Sequence, residues 1–63
     1  MTIKELAAVL EGEQDVLIAP TWRTAAGMYR YKANDIPPTL LSATVVVVYP
    51  HSNGKELIIE AER

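Results

Sequence analysis

Side chains able to carry acid–base or nucleophilic chemistry are few in this chain: one histidine, His51, beside Ser52, and eight Asp and Glu residues, with no cysteine. Neighbours on a tight loop cannot supply nucleophile, base and orienter, which must converge from separate directions. His51 therefore reads as a polar turn residue. The carboxylates are spread over a helix surface, turns and strand rims, where solvated charge is ordinary. A metal site needs converging ligands, and one histidine among dispersed acids does not make one. The three glycines are not grouped as a phosphate cradle. The expectation is a protein without catalytic residues, metal or cofactor.

Binding chemistry is better represented. Residues 1–20 hold Lys4 against Glu5, Glu11, Glu13 and Asp15, whereas residues 21–33 hold Arg23, Arg30 and Lys32 and no acid. The same basic segment carries Trp22, Met28, Tyr29 and Tyr31. Buried aromatic and arginine anchors supply most of the energy of protein interfaces, so Trp22, Arg23, Tyr29, Arg30 and Tyr31 form the candidate partner-binding group. Arg23 and Arg30 are expected to be free surface cations whose removal leaves the fold intact. Aromatics alternating with cations can also stack bases and pair phosphates. Trp22, Arg23, Tyr29, Arg30, Tyr31 and Lys32 thus define an alternative, a small single-stranded nucleic-acid binder. Three cations neutralise few phosphates, and the net charge of −2 gives no overall attraction to nucleic acid.

The elements that must position these residues follow from pattern. Thr2 and Glu5 fit a capping box, Met1 and Leu6 a hydrophobic staple, and Ile3, Leu6, Ala7 and Leu10 one apolar stripe. Gly12 stands where a left-handed cap would end the helix. Val16 to Ala19 reads as a short apolar strand, with Pro20 at its end or on an edge. Thr24-Ala25-Ala26-Gly27 reads as a turn into the strand MYRYKA, with Tyr29 and Tyr31 on one face and Met28, Arg30 and Lys32 on the other. Pro37-Pro38 interrupts the strands and forces Ile36 to be extended. Thr39 to Ser42 can form one helical turn. Val45 to Tyr49 and Glu56 to Ala61 flank Asn53-Gly54, the dipeptide of a type I′ hairpin turn.

A two-residue Asn53-Gly54 loop sets Ser52 opposite Lys55, Val48 opposite Ile59 and Val46 opposite Ala61. Those residues, with Leu57, make one apolar face for the single helix to cover. The other face pairs Val47 with Glu60, Tyr49 with Ile58 and His51 with Glu56. It leaves Val45, Val47, Tyr49 and Ile58 as an apolar strip with an acidic rim of Glu56, Glu60 and Glu62. A soluble protein carries such a strip where a partner, often a second copy, covers it. The strip is the candidate self-association surface of a homodimer or larger closed oligomer.

At 63 residues the chain is one small domain, residues 1–63, near the lower size for folding on a core alone. Being 49% apolar, it is too hydrophobic for a disordered tail. No strictly apolar run is longer than Val45 to Tyr49, which is far short of the roughly 20 residues of a membrane helix. No basic segment followed by an apolar stretch opens it, so neither a leader nor a membrane location is expected. The fold expected is α+β, with one N-terminal helix on a mainly antiparallel sheet of three to four strands ending in a β-hairpin.

The opening MTIKEL, the DVLIA strand, NDIPPTLL before the valine-rich strand and the closing GKELIIEAE together resemble small uncharacterised proteins encoded by phages and prophages, chiefly of Gram-positive bacteria. The similarity covers nearly the whole chain, with TWRTAAGMYRY departing from the pattern. What the resemblance implies is context: a mobile-element protein in the bacterial cytoplasm. By analogy with other very small phage proteins, anti-CRISPR proteins among them, it would work by occupying a surface of a host protein. Inhibition of a defence complex such as CRISPR-Cas is one such task. A purely structural phage component is a further alternative.

Overall fold

The computed structural model describes residues 1–22 and 27–63. Arg23 and the first three residues of the expected Thr24–Gly27 turn lie outside the described residues. The described elements are α1 (Ile3–Ala7), β1 (Asp15–Pro20), β2 (Tyr29–Lys32), a 3₁₀ turn at Ala33–Asp35, α2 (Pro38–Leu41), β3 (Thr44–Pro50) and β4 (Leu57–Glu62). The strands form one sheet in the order β2-β1-β4-β3. The outer ladders, β1 with β2 and β3 with β4, are antiparallel, but the central one, β1 with β4, is parallel, so the sheet is mixed. The parallel pair is what makes β1 a central strand. Val16, Leu17 and Ile18 are all buried, on both faces of the sheet, as a continuous apolar run in a central strand should be.

Local chemistry accounts for most element boundaries. Thr2 caps α1: its hydroxyl accepts the Glu5 N–H at 3.2 Å, and Glu5 Oε1 accepts the Thr2 N–H at 2.8 Å. That backbone hydrogen bond from Thr2 is the main reason the Glu5 carboxyl sits below its ordinary pKa. The helix is shorter than its apolar stripe. After Ala7 the chain tightens into i→i−3 bonds, Val9 N–H to the Leu6 carbonyl and Leu10 N–H to the Ala7 carbonyl. Leu10 still packs on the core, so the stripe outlasts the α geometry. Met1, the outer member of the expected Met1–Leu6 staple, is exposed, and its carbonyl accepts the Val45 N–H at 2.8 Å.

Gly12 is not a left-handed cap either, because Gly54 is the only described glycine with positive φ, at 73°. Gly12 matters through close approach: a Cβ there would lie 3.0 Å from Asn34 Nδ2. Pro37 and Pro38 act as expected. Ile36 is extended, and Pro38 occupies the first turn of α2, where its missing N–H costs nothing.

Both helices sit on one face of the sheet. The core between them and the sheet is Ile3, Val16, Ile18, Ile36, Ala43, Ile59 and Ala61, with Leu6, Leu10, Trp22, Tyr31, Leu40, Leu41, Val45 and Leu57 packed around it. No helix of the described residues is long and apolar enough to cross a membrane.

Candidate interaction surface

The hairpin β3–β4 has the expected register over most of its length and a different turn. Val47 faces Glu60, Val48 faces Ile59 and Tyr49 faces Ile58. The loop, however, is not type I′, since Asn53 does not have positive φ. His51 N–H donates to the Glu56 carbonyl at 2.9 Å, and Gly54 N–H to the His51 carbonyl at 2.9 Å. A four-residue loop, Ser52 to Lys55, thus closes the same register as a two-residue one. Side chains complete it: His51 Nδ1 accepts the Asn53 N–H at 3.0 Å, and Asn53 Oδ1 accepts the Lys55 N–H at 2.9 Å. His51 is a turn residue, as its position beside Ser52 suggests.

A register shift between Val45 and Val47 breaks the alternation. It sets Val45, rather than Val46, opposite Ala61. Val45 accordingly turns to the core and is half-buried. Its place in the expected outer strip is lost, because one extra residue in a strand reverses every side chain beyond it.

Ile58, too, is withdrawn from the strip. Arg30, Leu17, Ile58 and Tyr49 form one row across the four strands on the face away from the helices. On the same face Arg30 Nε lies 2.6 Å from Glu56 Oε2, and Tyr49 is hydrogen-bonded to Glu60. Ile58 is left only 6% exposed.

The acidic rim divides in the same way. Glu56 is buried, taking a 2.8 Å hydrogen bond from Asn53 Nδ2 in addition to the Arg30 ion pair. The Asn53 bond first, and the Arg30 charge after the opposing cost of burial, hold its carboxyl below the usual carboxylate range. Glu60 is half-buried, and only Glu62 is fully open to solvent. The Tyr49 phenol, donating to Glu60, is pushed above its ordinary pKa.

What stays open is β3 itself. Val46, Val47, Val48 and Tyr49 are 52%, 41%, 37% and 38% exposed, four consecutive large apolar side chains on both faces of an edge strand. Simple alternation places Val46 and Val48 on the covered face. The two helices do not bury them.

The aromatic and basic residues are brought together only in part. Tyr29 and Tyr31 lie on the helix-side face, paired with Ile18 and Val16. With Trp22, Thr39, Leu40 and Arg63 they line a cavity of about 150 Å³. Arg63 stacks over Trp22, its guanidinium 5.1 Å from the ring centroid. Sequence spacing could not supply Arg63, which reaches the aromatics through the β1–β4 pairing. Arg30 and Lys32 are on the opposite face. Lys32 Nζ is 2.9 Å from Asp15 Oδ1 across the ladder, an ion pair that raises the lysine pKa. Among the described residues, the tyrosines and the cations Arg30 and Lys32 thus lie on opposite faces of β2, as their alternation indicates. A wider groove of about 420 Å³, lined by Thr2, Lys4, Pro38, Leu41 and Ser42, holds Lys4 as its one charged residue.

Compared with protein-family models, curated proteins and solved structures, the chain matches none.

Proposed function

We propose that this chain is a non-catalytic protein-binding module whose contact surface is β3. The observation that carries the reading is the run Val46 to Tyr49, exposed on both faces of an edge strand. Contiguous apolar surface on a small soluble protein marks a place where another macromolecule sits. The resemblance to phage and prophage proteins supplies the setting. In a bacterial cytoplasm the module would self-associate, dock on a host protein, or do both in turn, and blocking a defence complex such as CRISPR-Cas is a task of this kind.

Val47→Lys tests the reading. The side chain is 41% exposed, so the variant should fold and, at ~10 μM where a weak dimer is dissociated, melt at the wild-type temperature. A lysine covered by a partner would lose its hydration without a counter-charge. Self-association measured by sedimentation, and capture of host protein from a bacterial lysate, should therefore weaken at least tenfold, about 1.4 kcal/mol. Undiminished binding by the folded variant would move the contact surface away from β3.

A further inference from the structure

The geometry points to a specific occupant of the β3 edge: a second copy of the same strand, antiparallel, with the two-fold axis at Val48. This inference rests on the protein-binding reading and names the partner and the pairing.

The sheet has two edges, and they differ in protection. Natural edge strands are kept from pairing by shortness, by charged side chains and by proline or bulges. The β2 edge has two of these devices, being four residues long with Arg30 and Lys32 in it. The β3 edge is seven residues long, and residues 43–54 contain no Asp, Glu, Lys or Arg; its own devices, the register shift at Val45–Val47 and Pro50, lie towards its two ends and leave Val47 to Tyr49 unprotected between them. Two copies meeting there bring no charged side chains together.

Part of the β3 edge is already used. Thr2 bridges Thr44, and the Val45 N–H is bonded to Met1. At the other end Pro50 has no N–H, and the chain enters the hairpin loop after His51. The free window is residues 46–50, and its midpoint is Val48.

Backbone polarity agrees with that midpoint. His51 N–H donates to the Glu56 carbonyl one residue beyond the Pro50/Leu57 end of the ladder, which sets that position as the hydrogen-bonded type. Pair types alternate along an antiparallel ladder. Tyr49/Ile58 is then bonded, and Val48/Ile59 is not, which turns the Val48 N–H and carbonyl outward. Two strands related by a two-fold axis at Val48 exchange both of those bonds. Val47 then faces Tyr49 of the other copy on either side of the axis. Val46, at the register shift, and Pro50, which has no N–H, end the pairing on either side. Met1 blocks a slip in one direction and the hairpin loop a slip in the other. The result is a closed, self-complementary dimer with a continuous eight-stranded sheet, rather than a growing fibre.

The contact is small. A standard interface covers about 800 Å² per partner, roughly a fifth of the chain's 4109 Å² surface, and a five-residue edge supplies less. A weak dimer is expected, and the test spans ~10 μM to ~1 mM. Sedimentation should show the mass rising from 7.0 kDa towards twice that value. Over the same range, amide exchange at Val48 should slow in step with the dimer fraction, while Val47 and Tyr49, already bonded to β4, stay protected throughout. Val48→Pro removes the outward donor without breaking a ladder bond, and should be folded and monomeric.

A wild-type chain that stays monomeric to ~1 mM overturns the inference, as does a Val48 amide whose exchange ignores concentration. The exchange measurement needs no variant, so it decides the matter even if Val48→Pro does not fold. A folded Val48→Pro chain that still dimerises also overturns the edge pairing. If Val47→Lys nevertheless weakens that dimer or host capture, the protein-binding reading survives. If it weakens neither, that reading falls too.

Discussion

Glu56 shows how far a single residue's role can depend on contacts distant in sequence. Its carboxylate is buried under an ion pair from Arg30 and a hydrogen bond from Asn53. As sequence it is one of several acids beside a turn, and the solvated reading is the natural one. Arg30 reaches it only because β1 lies between β2 and β4, a placement no local pattern encodes. The same geometry changes what Arg30→Ala does. The substitution removes the counter-ion of a buried carboxylate and should lower the melting temperature, where a free surface arginine would leave it unchanged.

The pH dependence has a definite sign. The folded-state pKa of Glu56 is depressed below the unfolded value of about 4.3. Its contribution is therefore present above that value and is lost as pH falls through the folded pKa. Glu5 acts in the same direction. Thermal melts followed by circular dichroism should fall in temperature below about pH 4.3, and Glu56→Gln should flatten that decline. An unchanged acid slope in the variant would mean that Glu56 is not held as described.

At the scale of elements, short-range signals are legible and lengths are not. The Thr2/Glu5 capping box is present as its spacing indicates. Thr2→Ala should cost about 1 kcal/mol, several degrees of melting temperature in so small a domain. A melt identical to wild type would show that the cap contributes nothing. The helix itself stops at Ala7 because an apolar stripe reports which side chains face the core, and i→i−3 turns can present Leu10 as well as an α-helix can. The Asn53-Gly54 signal locates the hairpin but not its turn type, since two-residue and four-residue loops close one register. Only Gly54 needs positive φ. Gly54→Ala should therefore cost roughly 1–2 kcal/mol, whereas Asn53→Gly should lose only its side-chain bonds to Lys55 and Glu56. Equal melts for Gly54→Ala and wild type would contradict that geometry.

For the whole molecule, the instructive comparison is between the two apolar runs. Val16-Leu17-Ile18 and Val45-Val46-Val47-Val48 look alike as sequence, each apolar on both sides of a strand. The first is central and buried by its own chain, because β4 pairs with it in parallel. The second is at an edge and is left open from Val46 onward. Periodicity cannot separate a strand that its own sheet will cover from one that awaits another chain. Pairing of β1 with β4, across most of the sequence, decides which is which.

The distinction has a thermodynamic consequence. A domain of this size has a total stability of roughly 3–9 kcal/mol. Ile18→Ala, in the central run, should remove roughly 2–5 kcal/mol, a large part of that margin, and lower the melting temperature sharply. In the edge run the stabilisation should come from association instead, and association acts by mass action. The wild-type melting temperature should thus rise with protein concentration between ~10 μM and ~1 mM, and that of Val48→Pro should not. A wild-type melt independent of concentration would mean that the open valines contribute nothing through a second copy. Their exposure would then serve a different protein partner or none.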